Sequence, residues 1–288
     1  MAVPLPEALP DGACDAHAHV FGPATRYPYA PDRGYTPPDA LPAELTALHR
    51  RLGITRTVLV QPSPYGTDNS RLLDALGALG PSARGIAVIA PGTDRASLAT
   101  MERAGVRGTR VNLGVHTTTD AERARRRIEE TVRTISAVGW HLELHAGSRT
   151  LASLADTLAD LPVPVVLDHF ARVTPGAKDE PDALKTVLGL LETGHVWLKL
   201  SAPYRVAGDY DDVRDILATL VAARPDRLLW GSDWPHTGGT PADRNPRRVQ
   251  PYLPVDDERS LTLLTTLLGE EPTHRVLVTN PAALYGFA

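Results

Sequence analysis

The chain is poor in cysteine, in aromatic residues and in long apolar runs, and each shortage excludes something. One cysteine, Cys14, among 288 residues cannot close an internal disulfide, which rules out a disulfide-stapled scaffold. Its place inside an apolar stretch points to a buried thiol rather than a nucleophile. No segment approaches the roughly 18 consecutive apolar residues of a membrane span. The opening Met-Ala-Val-Pro-Leu-Pro-Glu has neither the basic nor the apolar region of a signal peptide, so a cytoplasmic protein is expected. Aromatics are only 5% of the chain, no Lys/Arg cluster is interleaved with them, and the formal net charge is −4. Nucleic acid therefore has no footprint here. The run Arg123 to Arg127 lies among glutamates and reads as a solvated helix face. A Gly-x-Gly-x-x-Gly turn is absent, which removes the usual dinucleotide fingerprint. No repeat, low-complexity tract or linker interrupts the sequence, and one domain over residues 1–288 is expected.

What the chain does have is alternation. Strand-like runs at 12–21, 55–62, 84–90, 106–113, 140–146, 163–169, 195–201 and 227–232 are each followed by a helical pattern, at about 40–52, 69–79, 94–104, 120–138, 149–160, 180–193, 209–223 and 257–269. Eight such units call for parallel strands and right-handed crossovers. The fold class expected is α/β, a (β/α)8 barrel, with the segment from Asn280 as a short cap. The Pro/Tyr-rich stretch 27–35 is long for a strand-to-helix connection, and long connections are usually functional.

The polar residues cluster at strand ends. His17 and His19 are two apart, so one strand face presents both imidazoles. His145 and His169 also end strand-like runs, and Asp233 closes Leu-Leu-Trp-Gly-Ser-Asp. A lone His-x-His pair is usually incidental. Four histidines and a carboxylate at the C-terminal strand ends, where barrel enzymes place their sites, are not. His49, His141, His195 and His274 lie in helical stretches, at strand starts or near the C-terminus and read as structural.

The ordered blocks Asp15-Ala-His-Ala-His-Val-Phe-Gly, the Tyr-Pro-Tyr-Ala-Pro loop, Val60 to Asn69, Gly105 to Asn112, Val166 to Arg172, Trp230 to His236 and Val278 to Tyr285 resemble the amidohydrolase superfamily. Within it they resemble the lactonase-like branch typified by 2-pyrone-4,6-dicarboxylate hydrolase. The resemblance spans nearly the whole chain and implies a distorted (β/α)8 barrel that hydrolyses a cyclic ester. Two departures stand out: His145, where the branch has no histidine, and Val115-His116, where it has a Lys-Arg pair. The second points to a lactone other than the full pyrone dicarboxylate.

Opening a lactone needs a base for water, donors for the developing oxyanion and cations for any substrate carboxylate. Asp233 is the expected base, tuned towards neutral pH by its surroundings. His169 is expected to polarise the carbonyl, with His17 and His19 orienting it or holding a metal. Arg110, Arg172 and Arg205 are the candidate carboxylate binders, and Tyr27, Tyr29, Ser63, Tyr65 and Asn69 are candidate wall groups. The cofactor expectation is none or one mononuclear divalent metal, zinc first, on His17, His19, His145 and Asp233. The partner expected is a small lactone or related carboxylic acid, without nucleic acid or membrane; a homo-oligomer stays open. The rivals are a metal-dependent decarboxylase of the same superfamily and a non-catalytic small-acid binding barrel.

Overall fold

The computed structural model describes residues 9–114, 120–178, 182–238, 245–246 and 248–288. Eight parallel strands form one sheet in sequential order: β1 Cys14–Ala18, β2 Arg56–Val60, β3 Ala83–Ala87, β4 Val106–Asn112, β5 His141–His145, β6 Val165–Leu167, β7 Val196–Ser201 and β8 Leu228–Gly231. The helices between them are α1 Pro42–Leu52, α2 Ser70–Leu79, α3 Arg95–Arg103, α4 Ala121–Ile135, α5 Ser148–Ala159, α6 Ala183–Glu192, α7 Arg214–Ala223 and α8 Asp257–Leu268. The expected (β/α)8 barrel is the observed fold.

Local chemistry explains several boundaries. Asp94, Asp120 and Asp256 cap α3, α4 and α8, each accepting from backbone N–H groups of the first turn, which satisfies donors a helix start leaves unpaired. The strands have buried side chains on both faces, as parallel barrel strands must. One apolar layer packs strands against helices. A second fills the barrel floor, where Cys14, Val58, Ile86, Val166 and Leu229 meet Tyr285 and Phe287. The expected cap is thus a plug: α9 Glu270–His274 leads through a wide turn to α10 Asn280–Tyr285. Arg56 and Arg84 stack on the Phe287 ring from outside.

The barrel closes between its first and last strands by a device that also builds the site. Asp233 N donates to His17 O and His19 N to Trp234 O, both at 2.8 Å. Gly231 makes the approach possible: a Cβ there would stand 2.4 Å from His17 Cβ. Asp15 locks the seam, accepting from His17 N, Ser232 N, Ser232 Oγ and, on α1, His49 Nε2. Burial alone would raise the Asp15 pKa, but the bonds from His49 and Ser232 hold it below the usual carboxylate value. His49 is structural, as expected.

The connection 19–41 crosses the mouth of the barrel and is strapped to the segment after β8. Arg33 Nη2 and Thr36 Oγ1 donate to Pro246 O, Gln250 N donates to Thr36 O, and Tyr252 OH donates to Pro38 O. No helix among the described residues is long and apolar enough to cross a membrane.

Candidate active site

The C-terminal mouth gathers the groups that end β1, β6 and β8. Asp233 Oδ1 stands 3.6 Å from His17 Nε2, 3.5 Å from His19 Nε2 and 3.9 Å from His169 Nε2. Among the described residues, Asp233 Oδ1 and His17 Nε2 are buried without a hydrogen-bond partner, an expense that a structural site would avoid. Asp233 adopts a left-handed backbone (φ 62), as do His169 to Arg172 after β6 (φ 50 to 60) and Ala202 after β7 (φ 50). Each such residue stores of order 1–3 kcal/mol of strain, and all of these lie at the functional end of the barrel.

The imidazoles are held from behind. His19 Nδ1 is 2.7 Å from Val60 O, an acceptor only, so Nδ1 carries the ring proton and Nε2 presents a lone pair to Asp233. His169 Nδ1 pairs with Ser201 Oγ at 2.9 Å. His17 Nδ1 faces Lys199 Nζ at 3.0 Å and Asp168 Oδ1 at 3.3 Å. Burial, reinforced by the Lys199 charge, pushes the His17 pKa down to about 3, so the ring is neutral at ordinary pH.

Beneath lies a layer of buried charge. Lys199 on β7 is fully buried and bonds Glu143 on β5. Arg110 on β4 donates to Asp168 Oδ2 from Nε at 3.0 Å and Nη2 at 2.7 Å. Burial and the neighbouring Asp168 charge raise the Glu143 pKa to about 7, against Lys199 and Arg110. For Asp168, burial is outweighed by Arg110, His17 and Lys199, and its pKa falls well below the usual carboxylate value. Two cations facing two carboxyls is the pairing that buried charges require.

Asp233 departs from its expected tuning. Its Oδ2 accepts from Arg205 Nε at 2.7 Å and Tyr204 OH at 2.6 Å, with Arg205 Nη2 2.6 Å away. Burial would raise its pKa, yet Arg205 first, then His169 and His19, hold it well below the usual value rather than near neutrality. Tyr204 leads on to His236 Nδ1 at 3.3 Å, and His236 Nε2 to Asp257 at 3.1 Å.

The other sequence candidates divide by direction. Arg205 and Arg110 are in the site, each engaged by a carboxylate, and Arg172 sits beside Arg205, whose charge adds to burial in lowering its pKa. Ser63 lines a cavity with Arg110 and lies near the Tyr35 phenol, as does Thr237. The Tyr29 and Tyr65 rings pack with centroids 5.0 Å apart, tilted by 36°, and Tyr65 OH accepts from Gly22 N. Tyr27 turns its hydroxyl outward to Asp74. Asn69 uses its amide on Val88 N, Val88 O and Thr67 O, stapling two loops. His145 is drawn to Asp168, 3.7 Å away, rather than to Asp233. His116 lies outside the described residues. Lys199, Glu143, Asp168, Tyr35 and Tyr204 were not singled out by the sequence reading. For Glu143 and Lys199 the signal was polar residues two apart inside apolar strands, as in His141, Glu143 and His145 or Lys199 and Ser201; Asp168, Tyr35 and Tyr204 lie outside the strands and carried no such signal.

Three donor groups among the described residues could hold a cation, and the one of His17, Glu143 and Asp168 is already occupied by Lys199. His17, His169 and Asp233 each offer a ligand atom within 4.8 Å of the others, while His145 groups instead with Asp168 and His169. The unpartnered His17 Nε2 and Asp233 Oδ1, with His19 Nε2 beside them, make a nitrogen and oxygen set of the kind zinc accepts.

The amidohydrolase family model matches residues 14–287. A 4-sulfomuconolactone hydrolase of Hydrogenophaga intermedia is 37% identical over 98% of this chain and 91% of its own length. A 2-pyrone-4,6-dicarboxylate hydrolase of Comamonas testosteroni is 36% identical over 96% and 91%. A solved structure from Acinetobacter baumannii, described as a probable 2-pyrone-4,6-dicarboxylic acid hydrolase with citric acid bound, superposes with a TM-score of 0.78 at 27% identity, covering 96% of this chain and 100% of that one.

Proposed function

The chain belongs to the amidohydrolase family, and from that premise we propose that it hydrolyses the ring ester of a small lactone bearing at least one acid group. The observation that carries this reading is Asp233 Oδ1, unpartnered and ringed by three imidazole Nε2 atoms at the barrel mouth. Both relatives named above are lactone hydrolases.

The lactone carbonyl lies against the imidazoles, and water attacks its carbon while Asp233 Oδ1 takes the water proton. An imidazole N–H from His169 or His17 supports the charge growing on the carbonyl oxygen. When the tetrahedral species collapses, the ring C–O bond breaks and the ring oxygen leaves with the proton from Asp233. The new acid ionises, so one proton is released per turnover. Asp233 is a weak base while Arg205 holds it. A substrate carboxylate that draws Arg205 away relieves this, coupling acid recognition to base strength. Arg172, next to Arg205, adds a second cation at the same edge.

Where a metal is bound, His17, His19, His169 and Asp233 hold it, zinc being our assignment, and it supplies Lewis acidity to water and carbonyl. The buried thiol of Cys14 and the lack of a disulfide suit our placement of the enzyme in the cytoplasm.

A panel of lactones followed by proton release with a pH indicator tests the reading. Stoichiometric acid release with one carboxylated lactone supports it. Release of CO2 from an aromatic or muconate-type acid, with every lactone inert, replaces it with the decarboxylase.

A further inference from the structure

The reaction centre occupies the β1, β6 and β8 side of the mouth, and a separate cavity of about 110 Å3 opens on the β2 to β4 side. Arg110, Asn112, Arg127, Ser63, Asp32 and Arg33 are among the residues that line it. Arg110 belongs to both regions. Its Nε and Nη2 are engaged by Asp168, which leaves Nη1 as the edge that this carboxylate does not use. Arg33 is bound by the loop itself, donating to Thr36 Oγ1, Ala30 O and Pro246 O.

Arg127 has no such employment. It belongs to the arginine run of α4 that the sequence reads as a solvated face. Arg125 and Arg126 fit that reading, since both pair with Glu122. Arg127, exposed on the same helix, also lines the mouth cavity, and among the described residues no carboxylate lies within ion-pair distance of its guanidinium. Asp32 lines the same cavity without pairing with it. Arg123, one turn earlier on α4, places a like charge beside Arg127, an arrangement that disfavours the helix unless an anion offsets it.

Resting on the lactone reading above, we infer that Arg127 is a specificity-determining residue, receiving a second acid group of the substrate in the cavity it shares with Arg110. The class this selects is a lactone with two acid groups, one held at Arg205 beside the reaction centre and the other across the mouth at Arg127. The two relatives carry that chemistry in their names, a sulfonate-bearing muconolactone and a pyrone dicarboxylate. A guanidinium suits either group, because both present oxygens that accept its forked donors.

The experiment compares 2-pyrone-4,6-dicarboxylate and 4-sulfomuconolactone with the same rings lacking the 4-substituent, in the wild type, Arg127→Gln and Arg127→Lys. Expected for Arg127→Gln is a KM about tenfold higher for the two-acid lactone, the loss of one charged contact. Its kcat is unchanged, and the one-acid analogue shifts less than about twofold. Arg127→Lys recovers part of the KM. Equal effects of Arg127→Gln on both lactones, or none on either, overturn the subsite and leave the lactone reading standing. A wild type that prefers the one-acid lactone does the same. A wild type that hydrolyses none of the four compounds overturns the subsite, and the panel of other lactones then decides the parent reading.

Discussion

Lys199 Nζ lies 3.0 Å from His17 Nδ1, so a fully buried cation stands directly behind an imidazole of the proposed reaction centre. The same Nζ bonds Glu143 and is 3.5 Å from Asp168 Oδ1. Lys199→Met should therefore do two things. It leaves two buried carboxyls with Arg110 as their remaining close cation, a loss of about 3–5 kcal/mol of stability for a broken buried pair. It also frees His17 to reorient, lowering kcat about 10- to 100-fold, the range for groups that orient an active-site histidine. Adding Glu143→Gln should restore much of the melting temperature without restoring kcat. Recovery of both together would make Lys199 purely structural.

Asp233→Asn keeps the volume and the hydrogen bonds from Arg205 and Tyr204 to Oδ2, while removing the base. A fall in kcat of at least about a hundredfold is expected, as for loss of general base catalysis, with an unchanged circular dichroism spectrum. Near wild-type turnover on the best lactone would remove Asp233 from the proton-transfer role.

Much of this architecture was legible because its signals are periodic. The strand containing His17 and the one ending at Asp233 each combine an apolar run with a terminal polar group, and the barrel brings those ends together. The buried charge layer was harder to read. Lys199 sits in the middle of Val-Trp-Leu-Lys-Leu-Ser, and a search for polar groups at strand ends passes over it. Its pairing with Glu143, 56 residues away in sequence, and with Asp168 offsets its burial in the interior. Direction was the other obstacle. Tyr27 and Asn69 are in the right loops, but whether a side chain faces the mouth or a neighbouring loop depends on turns that one sequence does not specify. Asp74 and Val88 decided those two.

Arg205 touches Asp233, the proposed base, and Arg110 does not, and their variants should differ accordingly. Arg110→Met, Arg172→Met and Arg205→Met should each raise KM for an anionic lactone more than for a neutral analogue. Arg205→Met alone should also move the acid limb of the kcat/KM profile to higher pH, because it removes the largest influence lowering the Asp233 pKa. Equal effects on charged and neutral lactones would make the arginines structural and favour an uncharged substrate.

Stability should fall as pH drops below the ordinary histidine range. Burial holds His17, His141 and His145 neutral with pKa values of about 3 against 6.5 unfolded. Their contribution is present above about 6.5 and is lost as pH falls towards about 3, because the unfolded chain binds the protons first. Glu143 opposes them: its folded value of about 7 exceeds 4.5, so its contribution is present below 4.5 and lost as pH rises through 7. Burial holds His169 well below the ordinary histidine value too, and four imidazoles against one carboxyl leave stability rising with pH between 4.5 and 6.5. His141 lies on the barrel floor against Tyr285, away from the mouth. His141→Leu should reduce the slope by up to about 1.4 kcal/mol per pH unit, one proton's worth, read from urea midpoints at constant m-value. An unaltered slope would mean His141 is protonated equally in both states.

The metal question divides the histidines in a way that can be measured. His19 presents Nε2 because Val60 O holds its Nδ1 proton, and His17 and His169 form one ligand group with Asp233. His145 faces Asp168, whose Oδ2 already accepts two bonds from Arg110, which makes it a poor fourth ligand. We therefore expect protein purified without chelator to carry about one zinc per chain, the stoichiometry of a single three- or four-ligand site. His17→Ala or His169→Ala should abolish the metal content, and His145→Ala should retain it. Chelation should lower activity and zinc should restore it, because a Lewis acid beside water supplies the nucleophile at neutral pH. Full activity in a demonstrably metal-free preparation would instead leave His17, His19 and His169 acting through hydrogen bonds alone. His17 and His169 would then be the oxyanion donors, with Lys199 setting which nitrogen of His17 carries the proton.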